Sequence, residues 1–224
     1  MKNHDKGRTF KTIEDILVNE LGYTIYYTIL DASLFGLPQK RKRLYIIGFK
    51  EDIKFEFPEG VDRNDRIGNI LEKDVNTKYF LSQQYLNTLK NHRERHESKG
   101  NGFGYRVLAR NDVANTIVCG GMGKERNLVK DIIRYDAWKP GDDPFKKKNN
   151  EGIRKMTERE WARLQGFPDT FKFPVSMTQA YKQIANSVPV PVIKAVASKM
   201  KKSLEKFYEN NTHIAEIKKA MIQD

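Results

Sequence analysis

The chain has 224 residues, 38% hydrophobic and 31% charged, and 41 Lys+Arg against 29 Asp+Glu give a net charge of +12. That length fits one large domain or two small ones, and the composition describes a globular chain with a polar surface. The positive charge favours a polyanionic partner. No run of about 18 apolar residues is present and no charged-then-apolar leader opens the chain, so a cytoplasmic protein acting on nucleic acid rather than membrane is expected. The single cysteine, Cys119, excludes an internal disulfide and a cysteine-rich metal cluster, and no metal is expected.

Phe10, Ile13, Ile16, Leu17 and Leu21 follow helical spacing over residues 9–21, and Gly22 ends the run. Residues 23–30 are rich in β-branched and aromatic side chains and predict a strand. A turn with Gly36 and Pro38 leads through Gln39-Lys40-Arg41-Lys42-Arg43 into a second strand over 44–49. Cations crowded against a strand start repel one another, and a guanidinium turned inward needs a partner. A phosphate or base carbonyl would supply one. Helix, strand, loop, strand suits the end of an α/β sheet, but further β-α units do not follow.

Residues 50–76 are charged and predict a connector. Ser82 is the expected N-cap of a helix reaching Glu97, with Tyr85, Leu86 and Leu89 as its apolar stripe. Short strand-like pieces follow at 105–108, 115–119 and 128–129, with a glycine loop at 120–127 and a polar linker at 136–152. Thr157 and Glu160 form a capping box for a helix ending at Gln165, with Gly166 as its left-handed terminator. A helix near Thr178, one from Val192 to about Tyr208, and a last one over 212–222 complete the chain.

Three of these stretches resemble the C-terminal part of bacterial DNA (cytosine-5) methyltransferases. Residues 36–43 are similar to the family's Gln-x-Arg-x-Arg block, 154–169 to its ninth block and 179–189 to its tenth. The resemblance implies the C-terminal end of an S-adenosylmethionine-dependent α/β sheet over 1–72, a small, mostly β target recognition domain over 73–155, and closing helices over 156–224. The family's cofactor turn Phe-x-Gly-x-Gly, its Pro-Cys nucleophile and its Glu-Asn-Val block are not found in these residues. Met1 falls where the Glu-Asn-Val block would end, an arrangement that resembles split methyltransferases assembled from two polypeptides. The implied function is therefore the C-terminal portion or subunit of a methyltransferase from a restriction-modification system, inactive alone. Its implied partners are double-stranded DNA, an N-terminal half and S-adenosylmethionine, and its implied place is the bacterial cytoplasm at the nucleoid. The alternative is a non-catalytic DNA-binding remnant or truncated fragment.

The resemblance also implies roles. Arg43 matches the arginine that grips the cytosine O2, and Arg41 its phosphate- and loop-supporting neighbour. Asn186 and Ser187 match the positions that touch the methionine end of S-adenosylmethionine, although Ala185 replaces the family's glycine. Gln39, Lys40, Thr116, Lys124, Arg126 and Asn127 are candidate DNA contacts. Arg163 and Gln165 are expected to be structural. Cys119 follows Val118 rather than proline, so a small apolar residue in a strand is expected there, not a nucleophile. Lys199, Lys201 and Lys202 are read as cations at a helix end, where the dipole favours them. His92 and His96 lack the intervening glutamate of a zinc-protease helix, and the glycines at 100–104 follow a helix rather than a strand, so neither is a candidate site.

Overall fold

The computed structural model describes residues 7–101, 105–121, 123–132 and 148–221, with side chains as far as 212. Most of the 136–152 linker, the glycines at 102 and 104, and residue 222 lie outside the described residues. The chain divides into two compact units.

The first unit contains the described parts of Met1–Asp31, Lys42–Val61 and Pro191–Asp224. Helix α1 (Arg8–Asp15) runs into one wider turn over Ile16–Glu20, and Gly22 takes a φ of 65° to leave it. Strand β1 (Thr24–Asp31) pairs antiparallel with β2 (Lys42–Phe49), in register from Thr24↔Phe49 to Asp31↔Lys42. Phe10 of α1 meets the Tyr27 ring edge-on at 4.6 Å. Ile47 and Phe49 of β2 bury against Ile53 and Phe55, so the first part of the expected connector is core. Among the described residues the sheet has only these two strands, and Ile29 on β1 is 50% exposed.

Helix α5 (Val190–Met221) closes this core with Val196. It is one helix where two were expected. Residues 209–212 read Glu-Asn-Asn-Thr, which are modest helix formers but contain neither proline nor glycine to stop it. Pro191 sits in the first turn, where a missing N–H costs nothing.

The second unit contains residues 32–41 and 62–190. The expected division at residues 72 and 155 is not the one that packing draws. Ile67, Leu108, Ile117, Val129, Trp161 and Ile184 share a single core, which joins the ninth- and tenth-block helices to the recognition segments. Helix α2 (Gln83–Glu97) is capped as expected, Ser82 Oγ accepting from Tyr85 N at 3.2 Å. Tyr85 itself is turned out of the stripe, and its hydroxyl donates to Glu125 at 3.0 Å. Strand β3 (Val107–Leu108) lies parallel to β4 (Leu128–Lys130), and β4 antiparallel to β5 (Ile153–Lys155).

The strand expected at 115–119 does not form; only Ala114 makes a bridge, to Gln39. Side chains take the place of a neighbouring strand. Asn115 N donates to Asn127 Oδ1 at 2.8 Å and Ile117 N to Gln39 Oε1 at 3.1 Å. These backbone groups are satisfied without a ladder.

Helix α3 (Glu158–Leu164) opens on the full capping box, and Gly166 has the left-handed φ of 78° expected of it. Glu160 does more than cap. It holds the buried Arg154 guanidinium through two bonds of 2.8 Å, and Arg154 Nε reaches Asp131 at 2.9 Å. Helix α4 (Met177–Asn186) starts from Ser176 and packs Tyr181 edge-on against Trp161 at 4.8 Å.

Candidate functional site

The basic block splits into an inward and an outward set. Gln39 is fully enclosed: its Nε2 donates to Leu164 O at 2.9 Å and Gln165 Oε1 at 3.2 Å, and its Oε1 accepts from Ile117 N. A side chain so occupied cannot read a base edge, and the DNA contact expected of Gln39 is corrected to a strut between three segments. Gln165 continues the strut, its Nε2 donating to Ile184 O at 3.0 Å and to Ser187 O and Oγ at 3.1 Å each.

Arg41 is 5% exposed. Its Nη1 donates to Ile117 O at 3.1 Å, and its Nη2 to Ala185 O at 2.9 Å and Ser187 O at 3.1 Å. It has the inward guanidinium that the sequence required a partner for, and its partners include three carbonyls. Direct participation of Arg41 in the reaction does not fit this placement, whereas support of the loop after α4 does. Lys40 and Arg43 are exposed, and among the described residues Arg43 bonds its neighbour's carbonyl, Lys42 O, at 2.8 Å.

Arg41 and Gln39 both grip the 114–119 segment, which carries Thr116 and Cys119. Thr116 Oγ1 donates to Lys40 O at 2.6 Å, so this hydroxyl is half-buried in the turn. Cys119 is exposed, not the strand-buried residue expected, and its Sγ lies 3.3 Å from Asn186 Oδ1. Asn186 is exposed at the end of α4, while the Ser187 hydroxyl donates inward to Ile184 O at 2.7 Å.

The three cationic or polar candidates of the glycine loop have different fates. Asn127 is buried and exchanges two bonds with the Asn115 backbone, 2.8 Å and 3.0 Å, so it cannot meet DNA. Lys124 is half-buried, its ammonium 4.1 Å from the centre of the Tyr181 ring. Burial, and then the neighbouring Lys155 charge, hold its pKa below the ordinary lysine value. Arg126 is exposed.

Arg163 forms a two-pronged pair with Asp169, 2.8 Å on each arm, and donates to Ile70 O at 2.9 Å. Its hydrogen bond holds the Asp169 carboxyl below the usual range. Reading the sequence missed Arg154, a fully buried charge of this unit. Its place three residues before the capping-box threonine was the available signal. Among the described residues, no cluster of three His, Cys, Asp or Glu could hold a metal, and no helix is long and apolar enough to cross a membrane.

The framework therefore brings together, inside one unit, a turn with exposed Lys40, a segment with Thr116 and Cys119, and a helix end with Asn186. Residues 1–202 match the family described as C-5 cytosine-specific DNA methylase. The chain is 51% identical over 214 residues to the type II methyltransferase M.HpaII of Haemophilus parainfluenzae, covering 93% of this chain and 60% of that protein. It is 43% identical over 207 residues to M.SsoII of Shigella sonnei, covering 90% and 50%. The chain thus spans between half and three-fifths of these relatives' length. Among solved structures, the S. pombe Dnmt2 methyltransferase superposes with a TM-score of 0.65 at 18% identity, over 92% of this chain and 65% of that one. The Entamoeba histolytica methyltransferase EhMeth gives 0.65 at 21% identity, over 87% and 58%. These two likenesses show a shared mixed α/β methyltransferase fold.

Proposed function

The chain belongs to the C-5 cytosine-specific DNA methylase family, and we propose that it is the C-terminal portion of a DNA cytosine-5 methyltransferase of a restriction-modification system. The observation that carries this reading is the Gln39–Arg41–Gln165 cluster. It ties the Gln-x-Arg-x-Arg block, the 114–119 segment and the end of α4 into one buried hydrogen-bonded frame.

Carbon 5 of cytosine is a poor nucleophile until a thiolate adds to carbon 6 and an acid protonates ring nitrogen 3. The base must first leave the duplex, because stacking hides both its faces. S-adenosylmethionine supplies the methyl group. This chain's own residues then have distinct tasks. Arg43 holds the cytosine O2 and steadies charge on the ring. Lys40, Thr116 and Arg126 lie against the duplex, as the charge and exposure of Lys40 and Arg126 suit.

The donor set at α4 fits the cofactor in part. The exposed Asn186 amide can take the methionine end of S-adenosylmethionine, while the Ser187 hydroxyl is spent on Ile184 O and holds the turn. The attacking sulfur does not come from this chain. Cys119, the single cysteine, follows valine and stands beside Asn186. A Pro-Cys nucleophile and a catalytic glutamate are therefore supplied by an N-terminal half, which would also cover apolar positions such as Ile29. That half is a second polypeptide or a further stretch of the same one.

In the complete enzyme, Arg43→Ala tests the assignment. Turnover is expected to fall by at least about 100-fold, in line with loss of a transition-state charge contact, while DNA affinity changes little. Equal losses in turnover and affinity would remove Arg43 from the reaction.

A further inference from the structure

The lysines of α5 are not at a helix end. The helix continues to Met221, so Lys199 and Lys202 lie in its middle, where the dipole offers them nothing. Lys199, Lys202 and Lys206 are spaced by three and four residues and share one face. That face is the wall of an open groove whose other side carries Asp52, Lys54 and Glu56. Asp52 is paired with Lys54 at 3.5 Å, which leaves the three helix lysines facing the single carboxylate of Glu56. Among the described residues none of the three forms an ion pair. The pair that α5 does make, Lys201–Glu205 at 3.5 Å, involves no residue of this groove.

We propose that this groove is a second, sequence-independent contact for the phosphate backbone of duplex DNA. Like charges on one helix face repel, and a polyanion relieves that repulsion. Lys199 to Lys206 rise about 10 Å along the axis, which matches about three phosphate-to-phosphate steps along one strand. Ser203, Asn210 and Asn211 in the same lining are neutral hydrogen-bonding groups suited to phosphate oxygens. Lysine is a point charge that positions a backbone and reads no base. The groove lies wholly in the first unit, whereas Thr116 and Arg126 belong to the second. Affinity and sequence choice are therefore carried by different residues.

The inference rests on the methyltransferase reading, and the salt dependence of DNA binding by the full chain tests it. In Lys199→Gln/Lys202→Gln/Lys206→Gln the slope of log K against log salt becomes shallower by about 2.7, at about 0.9 per phosphate contact. Over a fourfold rise in salt this difference amounts to about fortyfold in affinity. The ratio of specific to non-specific binding stays as in the parent, and the triple Lys→Arg variant keeps the parent slope. Unchanged thermal unfolding of the Gln variant separates this from damage to α5. A Gln variant with the parent's slope overturns the groove contact while leaving the methyltransferase reading in place. A parent chain that binds no duplex at any salt also overturns the groove contact, and the methyltransferase reading then stands or falls on methyl transfer by the chain mixed with its N-terminal half.

Discussion

Gln39 and Gln165 stand 126 positions apart in the chain and meet amide to amide at 3.2 Å, with no exposed surface on either. Their remaining donors and acceptors reach Leu164 O, Ile117 N and Ile184 O, so one buried pair closes loops from three parts of the sequence. Buried amides that are fully bonded specify one arrangement, because any slip leaves a polar group dry and alone.

Gln39→Leu leaves Ile117 N and one Gln165 acceptor without their partner. The expected loss is about 1–3 kcal/mol in chemical unfolding. Gln165→Leu should cost a similar amount, and the double variant should fall short of their sum by at least about 0.5 kcal/mol, as for residues in direct contact. Strictly additive losses would mean that the two amides do not act as one unit.

The Arg154–Glu160 pair makes a sharper case. Arg154→Met strands a buried carboxylate and is expected to cost about 3–5 kcal/mol. Arg154→Met with Glu160→Gln removes both charges and should recover part of that loss. The same chemical unfolding reads both variants. A double variant less stable than Arg154→Met would contradict the charge-stranding explanation.

At high pH the tyrosines set the trend. Burial, then the Glu125 charge, push the Tyr85 phenol up to about 12, and burial raises Tyr79 and Tyr181 further. The native state therefore keeps protons that the unfolded chain has released. The stabilisation is whole below the unfolded value near 10 and is lost as pH rises towards the folded one. Lys124 has the opposite sign: its folded pKa is depressed, so its contribution improves as pH approaches the unfolded lysine value from below. Phenolate absorbance should show late-titrating tyrosines whose number falls in Tyr85→Phe. Complete ionisation near pH 10 with the fold intact would contradict this.

Cys119→Ala should leave methyl transfer by the complete enzyme within about twofold of the parent, since removing a weak S–H donor forfeits little. A drop of several orders of magnitude would make Cys119 the nucleophile after all.

What could be read from the sequence was mainly local. The Thr157–Glu160 capping box, the Ser82 cap and the Gly166 terminator depend on neighbours within a turn or two, and each is where its residues put it. What could not be read depends on partners far away. Residues 115–119 have strand composition, yet Gln39, Arg41 and Asn127 take their backbone bonds. Asn127 and Gln39 have base-reading chemistry, but burial rather than residue type decides what they touch. The inward turn of Arg41 beside the outward turn of Arg43 likewise follows from carbonyls 76 to 146 positions away. The separate helices expected over 192–208 and 212–222 are one, because nothing in 209–212 breaks a helix that is already packed at Val196.

Under the proposed function these residues hold and read a flipped cytosine, while the sulfur that attacks it is supplied from outside them. Transfer of labelled methyl from S-adenosylmethionine to duplex DNA tests it most directly, measured for the 224-residue chain alone and mixed with an N-terminal half that carries a Pro-Cys block. No transfer is expected from the chain alone, and transfer is expected from the mixture. Methylation of the duplex by the purified chain on its own would contradict it.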